Sequence, residues 1–423
     1  MENKTTKALL KFIEESPSCY HAVAGVAGML EGYTRLYEDK AWDVKAGGRY
    51  YVIRKDSSII AFRVPKGRIE SVRITASHSD CPTFRIKTNP AIVVEGHYTK
   101  LNTERYGGMI MSTWFDRPLS IAGRVVVKEA GKLTTKLVNL DRDMLMIPSV
   151  AIHMNRDVND GYKYDAQVDT IPLFGDESAA EKLDEMIAEA AGVAKDEILG
   201  SDLFLYNRDK GRIWGAGEEY VSSRALDDLQ CAYGTVRGFV ESDQTEGSSL
   251  NLCCVFDNEE VGSLTGQGAD STFLSDTVER IGDALGMSKA HMLQAIAAGF
   301  MISADNAHAV HPNHPEHADP TNRPYMNGGI VIKYNANQKY TTDGISEAMF
   351  RDVCSRADVP VQTFANKSNM AGGSTLGNIA NRHLSIRTVD IGLAQLAMHS
   401  AYETAGVKDT EYLIKAVKEF YRG

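Results

Sequence analysis

Residues 250–263, LNLCCVFDNEEVGS, contain the feature that most constrains how this chain can fold. The first part of this stretch is almost entirely apolar, which is typical of a short strand buried inside a sheet. Two adjacent acids, Glu259 and Glu260, follow the strand. Neighbouring carboxylates repel each other and resist removal from water. The pattern therefore indicates either a solvated surface turn or a site where positive charge offsets both acids.

Helical and extended patterns alternate on both sides of a β-rich stretch. Before about residue 88 and after about residue 213, segments with helical spacing alternate with short apolar segments. Between them, two β-branched runs around Glu129-Ala130-Gly131 predict a hairpin. Residues 393–406, LAQLAMHSAYETAG, have the pattern of a helix that ends at Gly406. We therefore predict an α/β domain in two segments, residues 1–88 and 213–423, interrupted by a β-rich insertion at 89–212.

Charge and cysteine content narrow the functional classes. The chain has 46 basic and 56 acidic residues and a net charge of -10, which argues against a nucleic acid or a membrane surface as partner. No apolar run approaches the roughly 20 residues that span a bilayer. The N-terminal stretch carries acids where a signal peptide would be apolar. The six cysteines form no C-x-x-C pair, so we expect free thiols and a cytoplasmic location.

Acids and histidines follow several of the predicted strands. In an open α/β sheet, ligands bind beyond the carboxyl ends of the strands, so these side chains could converge there. Nitrogen and oxygen donors of this kind suit zinc and other borderline divalent cations, and an aspartate could bridge two of them. The remaining acid of the Glu259-Glu260 pair could then act as a base. The residues concerned are His78, Asp80, Asp227, Asp305 and His399.

Each of these residues also has an ordinary structural interpretation. His78 and His399 could be packed core histidines, and Asp227 could cap a helix. Asp305 could belong to a turn. A second group, HAVHPNHPEH at residues 308–317, contains two prolines that break helical register. We therefore do not expect its histidines to form a single ligand set, and we interpret His314 and His317 as surface residues of a rigid loop.

Nine separate stretches carry a resemblance to a known family. The stretches are SPSCYHAV, ASHSDCPTFRIK, TWFDRPLSIAGRV, IPSVAIHMNR, SSRALDDL, DNEEVGS, SADNAHAVHPN, GGSTLGNIA and RTVDIGLAQLAMHS. Their order and spacing are specific, although any one alone would not be. On these stretches the chain resembles the M18 metalloaminopeptidases, the aspartyl aminopeptidase and vacuolar aminopeptidase I group, from end to end.

The resemblance implies a role for each matching residue. It implies a zinc-peptidase core of the phosphorylase/hydrolase type, with a central mixed β-sheet flanked by helices and an inserted β-rich dimerisation domain. It implies two divalent ions per subunit, most often Zn²⁺ with Co²⁺ or Mn²⁺ as alternatives. The implied metal ligands are His78, Asp227, Glu260, Asp305 and His399, with Asp227 bridging. The implied catalytic residues are Glu259 as general base, Asp80 orienting His78, and His308 holding the scissile carbonyl. The implied substrate-binding residues are His153, passed into a neighbouring subunit, Lys333 and Met398.

The implied activity is removal of the N-terminal residue from short peptides, with an acidic or a neutral side chain at that position. The implied assembly is a tetrahedral dodecamer built from dimers. Two alternatives remain open: another dinuclear hydrolase, such as a deacylase or carboxypeptidase, and a catalytically silent assembly or cargo protein. The chain departs from the family pattern at Cys81 and at His314, where a serine and an aromatic residue are common.

Overall fold

A computed structural model describes residues 3–243 and 245–423 of the 423-residue chain. Nine α-helices occur in these described ranges: α1 (Lys4–Glu14), α2 (Cys19–Met29), α3 (Lys182–Ala191), α4 (Leu226–Ser242), α5 (Phe273–Ala284), α6 (Lys289–Ala297), α7 (Gly344–Arg356), α8 (Leu376–Ala380) and α9 (Asp409–Arg422). Among the residues described, none of these helices combines the length and the apolar character that a membrane crossing requires.

Twenty strands occur in the same ranges. In chain order they are β1 (Thr34–Leu36), β2 (Arg49–Arg54), β3 (Ser58–Arg63), β4 (Ser71–His78), β5 (Thr83–Val94), β6 (Tyr98–Tyr106), β7 (Leu119–Glu129), β8 (Lys132–Asn139), β9 (Leu173–Asp176), β10 (Ile198–Asn207), β11 (Arg212–Trp214), β12 (Tyr220–Ser223), β13 (Ser249–Phe256), β14 (Phe300–Ala304), β15 (Ala307–His308), β16 (Ile330–Tyr334), β17 (Val361–Ala365), β18 (Thr388–Gly392), β19 (Ala394–Leu396) and β20 (Glu403–Gly406).

A nine-stranded mixed sheet forms the centre of the molecule, in the order β1-β2-β3-β13-β4-β14-β18-β16-β17. Its middle strands β13, β4, β14 and β18 are parallel to one another. Helices cover both faces of such a parallel region, so these strands are apolar and buried on both sides. All residues of β14 and β18 are buried, as are seven of the eight in β13. The fold is therefore α/β with a central mixed sheet flanked by helices, as predicted.

A six-stranded antiparallel sheet, β8-β7-β10-β5-β6-β9, lies in sequence between the two halves of the central sheet. The hairpin predicted around Glu129 is present as β7 and β8, which pair from Ala122 with Asn139 to Glu129 with Lys132. Helix α3 contributes Leu183 and Ile187 to the apolar core of this sheet. We propose that this sheet is the insertion inferred from the sequence, although its strand β5 begins at Thr83.

Helices α4 and α9 pack closely against each other on the central sheet. Two glycines of α4 allow this approach: a Cβ atom on Gly234 would lie 2.6 Å from Leu413 Cδ2, and one on Gly238 would lie 2.7 Å from Val417 Cβ. Leu413 and Val417 are fully buried. Because α4 begins at Leu226, this packing fixes the position of Asp227 at the start of the helix.

One secondary-structure prediction is wrong. Residues 393–406 do not form a helix; they form β19 and β20, which pair Gln395 with Ala405 in a third, five-stranded sheet. The turn between the strands contains Ala397 and His399 at φ 55° and 67°, which a continuous helix does not allow. Buried pairing in the sheet therefore overrides the helical spacing of the apolar residues.

Candidate active site

The carboxyl ends of the parallel strands bring the candidate residues to one edge of the central sheet. Strand β4 ends at His78, β14 ends one residue before Asp305, and β13 ends at Phe256, three residues before Glu259. Parallel strands end at the same edge, so their following residues face a common region. Asp227 joins them from the start of α4, where Asp227 and Asp228 have non-helical backbone angles.

The first cluster surrounds the Nε2 atom of His78. Asp227 Oδ1 lies 3.5 Å from it and Asp305 Oδ1 lies 3.9 Å from it. Asp228 Oδ2 is also 3.9 Å from Nε2 and accepts the backbone N–H of His78 at 3.0 Å. On the other side of the ring, the Asp80 carbonyl oxygen and Oδ1 lie 3.1 and 3.3 Å from His78 Nδ1. Asp80 thus fixes the ring while Nε2 faces the acids.

The second cluster shares Asp227 with the first. His399 Nε2 lies 3.3 Å from Asp227 Oδ2 and 3.3 Å from Glu260 Oε2. Asp227 therefore directs one carboxylate oxygen towards His78 and the other towards His399. The ligand atoms of each cluster lie close enough together to hold a metal ion.

The adjacent acids Glu259 and Glu260 occupy a short 3₁₀ turn after β13. Their backbone N–H groups both donate to Asp80, to Oδ1 and Oδ2 respectively, each at 3.2 Å. The turn is entered through Asn258, whose φ is 60° and whose side-chain amide donates to Tyr106 Oη at 2.7 Å. Glu260 reaches the His399 cluster, and the ligand atoms of Glu259, Glu260 and His78 can also be grouped within 4.8 Å. The backbone of the turn, rather than a side-chain ion pair, fixes the two acids.

Negative charge is concentrated at this site. Burial, together with Asp305 and Asp80, raises the pKa of Glu259 to about 8, although His78 opposes the shift. Burial and Asp227 raise the pKa of Glu260 well above its usual range. Burial favours the neutral form of His78, but Asp228, Asp227 and Asp305 raise its pKa well above the usual value. So many buried acids around few cationic groups favour the binding of cations.

Two buried carboxylate oxygens without hydrogen-bond partners show whether these residues fit a metal ion. Asp227 Oδ1 and Glu260 Oε1 are buried and have no hydrogen-bond partner. An unsatisfied buried carboxylate oxygen is costly, and a metal ion bound to it would remove that cost. Imidazole and carboxylate donors are also the ligands that zinc accepts. The residues present therefore fit a metal centre.

Comparison with known proteins identifies the family. Residues 12–421 match the family model described as aminopeptidase I zinc metalloprotease (M18). The chain is 47% identical to a probable M18 family aminopeptidase 2 of Clostridium acetobutylicum, over 99% of both chains. The chain belongs to the M18 family. It is therefore a metalloaminopeptidase of a family described as zinc metalloproteases, as the sequence motifs implied.

Solved structures share the fold. The model superimposes with a TM-score of 0.96 on a chain of a cryo-EM structure described as the Ape4 and Nbr1 complex, with 34% identity over 99% of this chain and 86% of that chain. The TM-score is 0.88 with the mApe1 dodecamer of S. cerevisiae, at 27% identity over 99% of this chain and 97% of that chain. The α/β architecture is thus that of M18 aminopeptidases.

Two residues that support the M18 site, Glu403 and Tyr106, were not singled out from the sequence. Glu403, at the start of β20, is buried and accepts the backbone N–H of Asp227 at 3.0 Å and of His399 at 2.7 Å. Tyr106 donates its phenol hydrogen to Asp80 Oδ2 at 2.6 Å. Neither residue stands in a recognisable local motif: Tyr106 reaches the site from β6, and Glu403 is brought back to His399 by the turn between β19 and β20. Only the strand ends and the acid pair gave a sequence signal.

The other proposed M18 site residues have different surroundings. Lys333 is buried on β16, and its Nζ donates to the Asp305 carbonyl at 2.8 Å and lies 3.4 Å from Asp305 Oδ2. His308 is exposed, with its ring 6.0 Å from that of Phe364. Met398 is half-buried in the turn next to His399. His153 lies in an exposed turn of the insertion, and the structure contains a single chain.

Proposed function

We propose that this M18 aminopeptidase uses two divalent ions held by five side chains. The observation that carries the proposal is the orientation of Asp227, whose two carboxylate oxygens point towards His78 and His399 at 3.5 and 3.3 Å. That arrangement suits a carboxylate shared by two ions. One ion would be held by His78, Asp227 and Asp305, and the other by Asp227, Glu260 and His399. The nitrogen and oxygen donors suit Zn²⁺, with Co²⁺ and Mn²⁺ as alternatives.

The bound ions would supply Lewis acidity towards the scissile carbonyl and a lowered pKa for water. In the proposed reaction, Glu259 accepts the proton of the attacking water and returns it to the leaving amine. His308 donates a hydrogen bond to the developing oxyanion. Asp80 contributes by holding His78 Nδ1 and, through its two oxygens, the backbone of Glu259 and Glu260.

The proposed substrate is the N-terminal residue of a short peptide, acidic or neutral. Lys333 and Met398 are the proposed contacts for the substrate, and Lys333 contributes positive charge to the wall beside Asp305. Because Nζ already contacts Asp305, the charge available to an acidic side chain is partly offset. A panel of aminoacyl anilides with acidic, aliphatic and basic side chains will rank these possibilities.

We also propose assembly into a tetrahedral dodecamer built from six dimers, in the cytoplasm. Apolar side chains around His153 are exposed in the single chain: Val150 by 52%, Ile152 by 48% and Met154 by 79%. Burial against a second chain would stabilise such a patch. The S. cerevisiae mApe1 neighbour is described as a dodecamer. If light scattering shows a fully active monomer, the shared-site role of His153 is wrong.

All six cysteines are free, which suits the reducing compartment proposed as the location.

The decisive experiment replaces Glu259 with glutamine. Glu259→Gln should lower turnover of an aminoacyl anilide by about 10²- to 10⁴-fold, the usual contribution of a general base. Its bound metal should match that of the wild type. Glu246→Gln serves as the control, because Glu246 is an exposed acid paired with Lys66. Unchanged turnover would remove Glu259 from the mechanism.

Substrates with a blocked N-terminus distinguish the two rival enzyme classes. An aminopeptidase requires the free amino group, whereas a deacylase hydrolyses the blocked compound. Bound metal without turnover of any substrate would instead favour a silent assembly protein.

A further inference from the structure

The histidine-rich loop after His308 has a feature that the active site does not use. His314, Glu316 and His317 are exposed, and one ligand atom from each lies within 4.8 Å of the others. His314 and His317 are surface residues, as interpreted from the sequence, and they do not lie on one helical face; the loop nevertheless brings their ring nitrogens close to the Glu316 carboxylate. Pro315 begins a short 3₁₀ turn, Pro315–His317, and the rings of His314 and His317 lie 5.4 Å apart.

The distances within this cluster match those around a single cation. His314 Nδ1 lies 3.1 Å and His317 Nε2 lies 3.8 Å from Glu316 Oε1. In a tetrahedral zinc site with bonds of 2.0–2.1 Å, two ligand atoms lie about 3.3–3.4 Å apart. Small side-chain rotations would therefore bring all three atoms to bonding distance.

The backbone of the loop is held in place by contacts outside the cluster. The Glu316 carbonyl accepts a hydrogen bond from Lys367 Nζ at 3.0 Å, and the Pro315 carbonyl accepts one from Arg323 at 3.1 Å. The backbone N–H of His317 donates to the His314 carbonyl at 3.1 Å. A loop that is already ordered loses less conformational entropy when it binds a ligand. Both nearby cationic side chains are directed at carbonyl oxygens.

The remaining histidine of the loop, His311, has a separate role. His311 Nδ1 accepts the backbone N–H of Asn313 at 3.2 Å, and its ring lies 5.3 Å from that of His314. His311 thus packs beside the cluster rather than adding a ligand atom. One position of a four-coordinate ion remains for water.

We propose that His314, Glu316 and His317 form a surface site for one borderline divalent cation such as Zn²⁺, separate from the catalytic residues. The donor set is two imidazoles and one carboxylate, which suits zinc, cobalt and nickel better than calcium or magnesium. His317 also lines the cleft that contains His308. An ion held there would stiffen one wall of that cleft.

Metal counting tests the proposal. The full chain is stripped with a chelator, dialysed against increasing Zn²⁺, and the zinc per chain is measured by mass spectrometry. Two variants remove a ligand: His314→Tyr, which introduces the aromatic type common at this position in the family, and His317→Gln. Each should bind one ion fewer than the wild type at saturation. His383→Gln is the matched control, because His383 is a surface histidine paired with Asp270 at 3.0 Å. It should bind as many ions as the wild type.

A second measurement reports on the loop itself. Zinc should slow amide hydrogen exchange in residues 311–318 of the wild type and of His383→Gln, but not of the two loop variants. Equal zinc counts in all four proteins, or unchanged exchange in the wild-type loop, would overturn the proposal. Because the comparison is between variants, its outcome does not depend on how many ions the catalytic residues hold.

Discussion

Replacing Glu403 with glutamine isolates the contribution of a residue that touches no proposed substrate. The two carboxylate oxygens of Glu403 accept the backbone N–H groups of Asp227 and His399 at 3.0 and 2.7 Å. Glutamine has nearly the same shape but only one acceptor oxygen. The side-chain NH₂ group of the glutamine would face the backbone N–H of Asp227 or of His399. One of the two hydrogen bonds is therefore lost, and two hydrogen-bond donors point at each other.

The expected loss follows from the charge of the acceptor. A hydrogen bond to a charged group contributes about 1.5–3 kcal/mol. The bonds to Glu403 hold Asp227 and His399 in the positions in which they are proposed to bind metal. If the lost free energy is all taken from metal binding, the metal dissociation constants should rise about 10- to 150-fold, at about 1.4 kcal/mol for each factor of ten. Outer residues that orient metal ligands usually act on this scale.

Zinc affinity is measured by competition with a coloured chelator, and turnover is measured at saturating and at limiting zinc. Glu403→Gln should lose turnover at limiting zinc and recover much of it at saturation. Glu246→Gln is the control, because Glu246 is an exposed acid. A variant with normal folding by circular dichroism and unchanged zinc affinity would refute the positioning role of Glu403.

Three further perturbations follow from the contacts of individual residues. Tyr106→Phe removes the hydrogen bond to Asp80. It should lower kcat by about 5- to 150-fold, for a loss of about 1–3 kcal/mol, with metal content unchanged. Gly238→Ala should lower the melting temperature, because the added Cβ would lie 2.7 Å from Val417 Cβ. Gly28→Ala, on α2 with open space around the added Cβ, should raise the melting temperature. The reverse order of the two melting temperatures would contradict the packing of α4 against α9. Burial raises the pKa of Asp409 to about 7, so the native state retains its proton longer than the unfolded state, and this residue's contribution to stability should fall as pH rises from about 4 to about 7. The melting temperature of the wild type minus that of Asp409→Asn should therefore decrease over that range, and a constant difference would exclude the shift.

The sequence predicts the central sheet well because its strands depend on local composition. Strand β13 is apolar along almost its whole length, and the residues that follow such strands meet at one edge by topology. For that reason the sequence pattern alone indicates His78, Asp227, Asp305, His399 and the Glu259-Glu260 pair as candidates. The M18 resemblance then implies that Glu260 is the metal ligand of the pair and that Asp227 is the shared acid. The structure then gave the orientation of each carboxylate oxygen.

The failures share a physical cause, which is that contacts distant in sequence decide the local conformation. Residues 393–406 have helical spacing, yet Gln395 is buried and pairs with Ala405, so the chain reverses at His399 instead of continuing as a helix. Glu403 gave no signal because its role depends on this reversal, which brings it back to the N–H of His399. In the histidine loop, a local turn at Pro315 rather than a helical face brings the side chains of His314, Glu316 and His317 together. Proline breaks a helix but favours a turn, and a turn can gather ligands as effectively as a helical face. A proline between histidines is therefore a reason to test for a metal site, not to exclude one.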